Sequence, residues 1–551
     1  MIMLLHLGEV SWRGLGRRVS LGSRRNGWAV SINQQAVEFL IPADGRPEQI
    51  LKNLSDVLTL SDFSPQAFDA VFSDTADWRL YRAGGYMVTR KAGRKIETVW
   101  RDRSDGTELA RWAVNCPRFV WELPKGLGRD ALEPVVAMRA LLPMAEVSGT
   151  AWRAAMLNAD VKTVARLEAV AFSDKLNGDG FLPGRLRLLP VRGYDKEFGQ
   201  ALAAIKKKTG LKPLESDPAT VLFEALGLDF GSDPNKISIE FDLSMEAGVA
   251  MKTVLLRLLE IIEGNTQGII DDVDTEFLHE FRVAVRRSRS ALVPFKDCFA
   301  PKSFKRFSDD LAWLGRDTGD PRDLDVWLLK FPDYKAMLPD EVKPQLDPLE
   351  GFLKKKRNAA YAQLRRDLKS KRYHEFLRDW RAFLASGVSS DDERPMARKP
   401  VMALADKWIG KFYKRLIKEG SVIGSETPAE ALHELRKTCK KFRYQIDFFG
   451  SLYPKEKFKV AAKELKRLQE NLGDFQDLEV QADSLRGFAS EMIEKGGKEG
   501  EVYLAMGMLV SDLLQRQAEA RAEFSERFDR FAGQENRALF TELFIERNVQ
   551  K

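Results

Sequence analysis

Two short stretches of the 551-residue chain concentrate side chains that bind anions. Residues 279–289 carry His279, Arg282, Arg286, Arg287 and Arg289, and residues 433–443 carry His433, Arg436, Lys440, Lys441 and Arg443. At 100° per residue, positions 279, 282, 286 and 289 fall on one stripe of a helix, with Phe281, Val285 and Leu292 on the opposite side. The second stretch repeats the arrangement, its apolar face being Leu435, Cys439, Phe442 and Ile446. Guanidinium and ammonium groups in such a stripe offer charge-assisted hydrogen bonds, and a protonated imidazole offers two more donors. A merely solvated helix face would mix signs, because like charges one turn apart repel by roughly a few tenths of a kcal/mol per pair. No acid occurs in the eleven residues after Glu280 or after Glu434. Polyanion recognition is the chemistry this pattern predicts.

The two stretches belong to a longer internal repeat. Residues 278–326 align without a gap to 432–480 at a constant offset of 154, with fifteen of 49 positions identical, against roughly three expected from average composition. Both copies end in Leu-x-x-Leu followed by Gly319-Asp320-x-x-Asp323-Leu324-Asp325-Val326 or Gly473-Asp474-x-x-Asp477-Leu478-Glu479-Val480. A helix stop followed by an acid-rich helix start is expected there, the acids capping the helix and pairing with the basic stripe rather than holding Mg²⁺ or Ca²⁺. Facing each other, the two stripes would line a shared basic cavity.

Elements able to position these stripes follow from periodicity. After residue 240 the chain reads as long charged helices, roughly 244–263, 274–297, 302–316, 321–330, 341–368, 371–385, 397–419, 427–450, 455–472, 475–495 and 498–531, an all-α domain of helical hairpins over 238–545. The runs Lys354-Lys355-Lys356-Arg357 and Arg365-Arg366 read as surface charge, with Arg365 or Arg372 as further cavity contributors. Residues 36–210 instead read as an α+β domain, with β-rich runs at Ala36–Ile41, Arg79–Thr89, Glu97–Trp100 and Arg185–Leu189 and helices at Pro47–Leu58 and Asp195–Lys208. A Pro/Gly-bearing linker over 211–237 holds one short helix at Ala219–Leu226. Residues 1–35 carry five arginines and one acid and form a basic arm, expected to be disordered or to reflect an over-long start.

Composition bounds the setting. With 44% apolar and 31% charged residues the chain is globular, and 88 Lys plus Arg against 81 Asp plus Glu leave a net charge of only +7. That excess matters only where it is concentrated. The three dispersed cysteines, Cys116, Cys298 and Cys439, fit neither a disulfide framework nor a zinc site. No apolar run approaches the roughly 20 residues of a membrane helix, and Arg24-Arg25 lacks the apolar segment a twin-arginine signal requires. A cytoplasmic location is expected.

On LHEFRVAVRRSRSAL and LHELRKTCKKFRYQI, each with its Leu-x-x-Leu and Gly-Asp-x-x-Asp-Leu-Asp/Glu-Val sequel, the chain from about 240 to 540 resembles the CHAD domain, the conserved histidine α-helical domain. The resemblance implies two pseudo-symmetric four-helix bundles around a basic pore and binding of inorganic polyphosphate. It places His279, Arg282, Arg286 and Arg289 with His433, Arg436, Lys440 and Arg443 on the family's basic motif. Lys440 and Lys441 replace arginines of the first copy and give up the bidentate fork. More weakly, segments such as Ala36-Val37-Glu38-Phe39, Gly85–Arg90, Lys162–Arg166 and Gly184–Gly193 resemble the CYTH domain, a triphosphate tunnel. Active members carry an ExExK strand; here Ala36-x-Glu38-x-Leu40 keeps one of its three functional side chains, and Arg185-Leu186-Arg187 is cationic where a second acidic pair would be sought. Since two-metal hydrolysis needs clustered carboxylates, a degenerate, inactive tunnel is expected. Its Arg79, Arg82, Arg90, Arg94, Lys162 and Arg166 either bind phosphate or pair with acids.

The expected function is therefore binding of inorganic polyphosphate through His279, Arg282, Arg286, Arg287, Arg289, His433, Arg436, Lys440, Lys441 and Arg443, with no catalytic or metal-ligating residue assigned. Polyphosphate-associated proteins or granules are further expected partners, and a membrane is not. The alternatives are a metal-dependent triphosphatase or polyphosphate hydrolase, using Mg²⁺ or Mn²⁺ only if the CYTH-like domain is active, and a nucleic-acid-binding protein. Nucleic acid is disfavoured because only Tyr444 lies near the stripes to stack a base.

Overall fold

A computed structural model describes residues 36–104, 106–174, 181–214, 217–386, 395–424, 426–497 and 500–544. The expected basic arm lies outside them. The chain forms two compact units, Met1–Pro234 and Asn235–Lys551. Among the described residues no helix is long and apolar enough to cross a membrane.

The first unit is a curled antiparallel sheet of eight strands: β1 (Val37–Ile41), β2 (Pro65–Asp74), β3 (Gly85–Ala92), β4 (Lys95–Asp102), β5 (Glu108–Trp112), β6 (Leu142–Leu157), β7 (Thr163–Asp174) and β8 (Phe181–Pro190), in the order β1-β8-β7-β6-β2-β3-β4-β5. Its helices are α1 (Pro47–Ser55), α2 (Arg79–Arg82), α3 (Leu127–Val136), α4 (Asp195–Thr209) and α5 (Pro218–Ala225). Alternation along β8 sets the two faces. Leu186 and Leu188 join Phe39, Leu51, Leu54, Phe198 and Ile205 in a core under α1 and α4, while Arg185 and Arg187 point to the other, charged face. The expected strand over Arg79–Thr89 is corrected. It starts only at Gly85, because Asp74 accepts the backbone N–H groups of Leu80 and Tyr81 at 2.9 Å each and Thr75 Oγ1 accepts that of Arg79 at 2.9 Å. These caps hold Arg79–Arg82 as a helical turn. Strands β2, β5, β6 and β7 and helix α3 add to the expected elements.

The second unit is all-α: α6 (Ala247–Ile270), α7 (Thr275–Phe295), α8 (Pro301–Asp317), α9 (Gly319–Leu329), α10 (Phe331–Ala336), α11 (Asp347–Leu368), α12 (Lys371–Ala385), α13 (Val401–Gly420), α14 (Ala429–Phe449), α15 (Lys455–Glu494), α16 (Gly500–Phe531) and α17 (Gln534–Phe544). The offset of 154 relates the start of α6 to that of α13, both ends of α7 to both ends of α14, and the start of α8 to that of α15. α6, α7, α8 and α12 pack as one four-helix bundle, and α13, α14, the first half of α15 and α17 as its counterpart. The remaining helices share a core, where Leu324, Trp327, Leu349 and Leu353 meet Ala482, Leu485, Leu509 and Leu513. The first turns of α6 and α13 are also joined: Ala247 and Gly248 donate backbone N–H groups to Lys399 and Ala397, and Val401 donates to Met245, each at 2.8 Å. A Cβ on Gly248 would stand 3.2 Å from that of Ala397, so any other residue there would push the two segments apart by a few tenths of an ångström.

The two copies differ at one helix break. Thr318 interrupts α8 and α9, as expected, but α15 runs unbroken through Gly473, where the repeat predicts a stop. Pro321 explains the difference: in a continuous helix it would lack an N–H to donate and its ring would meet the carbonyl four residues back. Its counterpart, 154 residues on, is Phe475.

Candidate functional site

The backs of both stripes are buried as their apolar spacing requires: Phe281, Val285 and Leu292 on α7, and Leu435, Cys439, Phe442 and Ile446 on α14. Asp274 fixes the start of α7 by accepting the N–H groups of Glu276 and Phe277 at 2.9 and 3.3 Å. The helices then meet directly. Gln445 Nε2 donates to the carbonyl of Ser290 at 3.3 Å, and Arg287 lies 3.9 Å from Asp447. The guanidiniums of Arg286 and Arg287 stand 5.9 and 6.0 Å from the Tyr444 ring centre.

In the second copy the cations are largely paired. His433 Nε2 lies 2.5 Å from Glu479, Arg436 donates to Asp477 at 2.8 Å and Gln476 at 3.0 Å, and Arg443 donates to Asp447 at 2.8 Å. In the first copy Arg287 shares Asp447, while among the described residues Arg282, Arg286 and Arg289 are not so paired. Arg282 donates to the carbonyl of Gly315 at 2.9 Å and reaches the Thr318 hydroxyl at 3.4 Å; Arg289 rests against Gly315. Among the described residues, Arg282, Arg286, Arg289, Lys440 and Lys441 have no carboxylate at ion-pair distance. The structure thus brings Arg282, Arg286, Arg436 and Lys440 together from both copies, while Lys441 points to solvent and Arg287 turns to Asp447.

Charge in this cluster is unfavourable to itself. Burial, with Arg436, Arg286 and Arg282 nearby, pushes the Lys440 ammonium down to about 7. Burial also lowers Arg282 and Arg436, each with Arg286 adding repulsion. Asp323 moves up, through burial and through the neighbouring Asp320 and Asp477, so the acids of the two copies converge as well. Of the motif's acids, Asp325, Asp477 and Glu479 act as ion-pair partners, and no side chain caps α9. Asp325, fully buried, pairs with Arg357 and accepts from the Tyr361 hydroxyl, both at 2.6 Å. Arg357 is therefore an internal residue rather than surface charge. Arg365 and Arg372 pair with Asp272 and Asp310 at 3.4 and 3.2 Å.

The first unit carries a second cationic concentration. On the charged face of the curled sheet a cavity of about 600 Å³ is lined by seven cations (Arg90, Lys95, Arg101, Arg111, Arg153, Arg166 and Arg187) and two carboxylates, Glu97 and Glu168. Burial opposes charge on Glu168, yet Arg90, Arg185 and Arg153 hold its carboxyl down at about 2. Glu38 lies opposite Arg187 in the β1–β8 register and pairs with Arg187 and Arg185 at 3.1 and 3.5 Å. A carboxylate held by two guanidiniums does not fit a divalent-metal site, and among the described residues no three His, Cys, Asp or Glu side chains gather as one. Of the cations singled out in the sequence, Arg90 and Arg166 line the cavity. Arg79 is drawn into a buried pair with Asp77 at 2.9 Å, Arg82 reaches Asp233 at 3.1 Å, and Arg94 and Lys162 sit exposed outside it. Arg101, Arg111 and Arg153 escape sequence reasoning because they lie at the end of β4 and on β5 and β6, beyond the runs legible as strands.

A duplicated all-α domain presenting paired cationic helix faces is the class these observations define. Residues 253–486 match the CHAD domain family, and the second unit carries a CHAD domain. Two uncharacterized proteins from strains of Mycobacterium tuberculosis are each 27% identical over 215 residues, 38% of this chain and 39% of theirs; the chain spans about two fifths of the length of these curated relatives. The crystal structure of the CHAD domain from the plant Ricinus communis is similar at 26% identity and a TM-score of 0.44, covering 55% of this chain and 94% of that one. A Hippeastrum protein described as having a dominant triphosphatase activity is similar at 15% identity and a TM-score of 0.27, covering 34% of this chain and 94% of its own.

Proposed function

We propose that the CHAD domain binds inorganic polyphosphate in a basic cavity between the paired stripes of α7 and α14. The observation that carries this reading is the convergence of Arg282, Arg286, Arg436 and Lys440, of which Arg282, Arg286 and Lys440 have no carboxylate at ion-pair distance among the described residues. Crowded cations raise the free energy of the empty site, and an anion with several charges relieves all of them at once. Long-chain polyphosphate binds far more tightly than orthophosphate on this reading, and affinity falls steeply with salt as counterions are released. Titrations across chain length and ionic strength test it. Unchanged affinity after reversing Arg282 and Arg436 together, R282E with R436E, would refute the site. A cytoplasmic setting belongs to the same reading and is supported by three free cysteines.

For the first unit, the seven-to-two excess of cations in the sheet cavity favours retention of a phosphate anion over metal-dependent hydrolysis. Phosphate release from triphosphate, dependent on Mg²⁺ or Mn²⁺ and abolished by Glu38→Gln, is the result that would overturn this.

A further inference from the structure

Lys440 stands apart from every other cation of the two stripes. It occupies the position of Arg286 one repeat later, one helical turn after Arg436 and one before Tyr444, the ring that Arg286 approaches from α7. Its ammonium therefore faces Arg436 on its own helix and Arg286 and Arg282 on α7. The acid nearest to it in effect, Asp477 on α15, is already engaged by Arg436 at 2.8 Å. Asp323 on α9 acts on Arg282, and Arg282 on it, while burial and the acids beside it raise its own carboxyl. The neighbouring Cys439 thiol is buried and pushed up, so it supplies no negative charge. A guanidinium keeps its proton in such surroundings, whereas a primary amine releases it.

We propose that polyanion binding at the paired stripes takes up a proton at Lys440, which is a neutral amine in the empty site at weakly alkaline pH and an ammonium in the occupied one. The inference rests on the polyphosphate reading above and adds its coupling to pH. Arg282, Arg286 and Arg436 hold constant charge, so they set the potential that expels the proton. A bound chain of negative charges reverses that potential and draws the proton back from solvent. The replacement of arginine by lysine at this one converging position is what makes the site's affinity depend on pH: with burial holding the amine at about 7, affinity declines about tenfold per pH unit above that point.

Two measurements on the full chain test this. Acylation of Lys440 by acetic anhydride, followed by mass spectrometry across pH 6–10, reports the unliganded amine directly. A midpoint near 7 is expected; the ordinary lysine profile overturns the proposal. Calorimetry with long-chain polyphosphate at pH 8, in buffers of differing ionisation enthalpy, is expected to show about one more proton taken up per site by the wild type than by Lys440→Arg. Lys440→Arg is also expected to bind about tenfold more tightly than wild type at that pH. Equal uptake by the two proteins assigns the protons to His279, His433 or the ligand and overturns the role of Lys440. A low acylation midpoint with no binding by the wild type refutes the polyphosphate reading, and the proton coupling with it, while leaving the neutral amine established.

Discussion

The two copies of the repeat carry nearly the same cations and the same acidic motif, yet Arg436 and Arg443 of the second are paired with carboxylates while, among the described residues, Arg282 and Arg289 of the first are not; Asp447, which holds Arg443, has Val293 as its counterpart. Arg436 is held by Asp477, whereas Arg282, its equivalent, stands beyond ion-pair distance of Asp323 and donates to Gly315 and Thr318. The cause lies in the partner helix. Where Pro321 enforces a break, α8 ends and its last carbonyls lack helical donors; Arg282 satisfies one of them, as a cation at a helix C-terminus does. Phe475 allows α15 to continue, no carbonyl is orphaned, and Arg436 turns to the acid instead. A repeated charge pattern is thus not a repeated binding surface. Among the described residues the first copy leaves Arg282, Arg286 and Arg289 without a carboxylate at ion-pair distance, and the second leaves Lys440 and Lys441 so.

Forcing the second copy to copy the first has the largest expected effect. Phe475→Pro removes a buried ring and a helical hydrogen bond together, and about 5 kcal/mol or more of stability should be lost. Chemical denaturation reads this, and a mild effect would mean that Pro321 is not what separates the copies. Next in size, Arg282→Glu with Arg286→Glu should weaken polyphosphate binding about a thousandfold, each reversal removing a charge-assisted contact and adding repulsion. Arg436→Glu with Arg443→Glu should cost clearly less, since both cations are already engaged by acids; equal losses would erase the asymmetry. Removing the acid should work in the opposite sense. Asp477→Asn releases Arg436, and affinity is expected to rise by up to about tenfold at low salt.

A separate effect concerns pH without ligand. The Lys440 amine is lowered in the folded state relative to the unfolded chain, so between about 7 and 10.5 the unfolded chain binds more protons. Stability therefore rises with pH across that window. Lys440→Met lacks this contribution. Its melting temperature should exceed that of the wild type most at pH 7 and converge toward it by pH 10.

Helix periodicity and the repeat made α7 and α14 legible from sequence, because their buried faces follow a strict 3.6-residue rhythm and the cations fall opposite. Pairing was less legible. Nothing in the spacing of Arg436 and Asp477 distinguishes them from Arg282 and Asp323, since the difference is carried by Pro321, at a variable position of the acidic motif where the second copy has Phe475. The first unit was harder still: β6 and β7 are rich in alanine, a weak strand former, and a helical turn at Arg79–Arg82 depends on caps from Asp74 and Thr75 that local propensity does not reveal. Arg357, within a run of lysines, read as surface charge because its partners Asp272 and Asp325 are distant in sequence.

The backbone clasp between the first turns of α6 and α13 bears on how such a duplication can exist at all. Each copy borrows hydrogen-bonding partners from the other at its own starting point, and the later helices of both share one core. Neither copy is a free-standing module. Opening one leaves unpaired amides at the threshold of the other, so the pair is expected to melt as a single cooperative body.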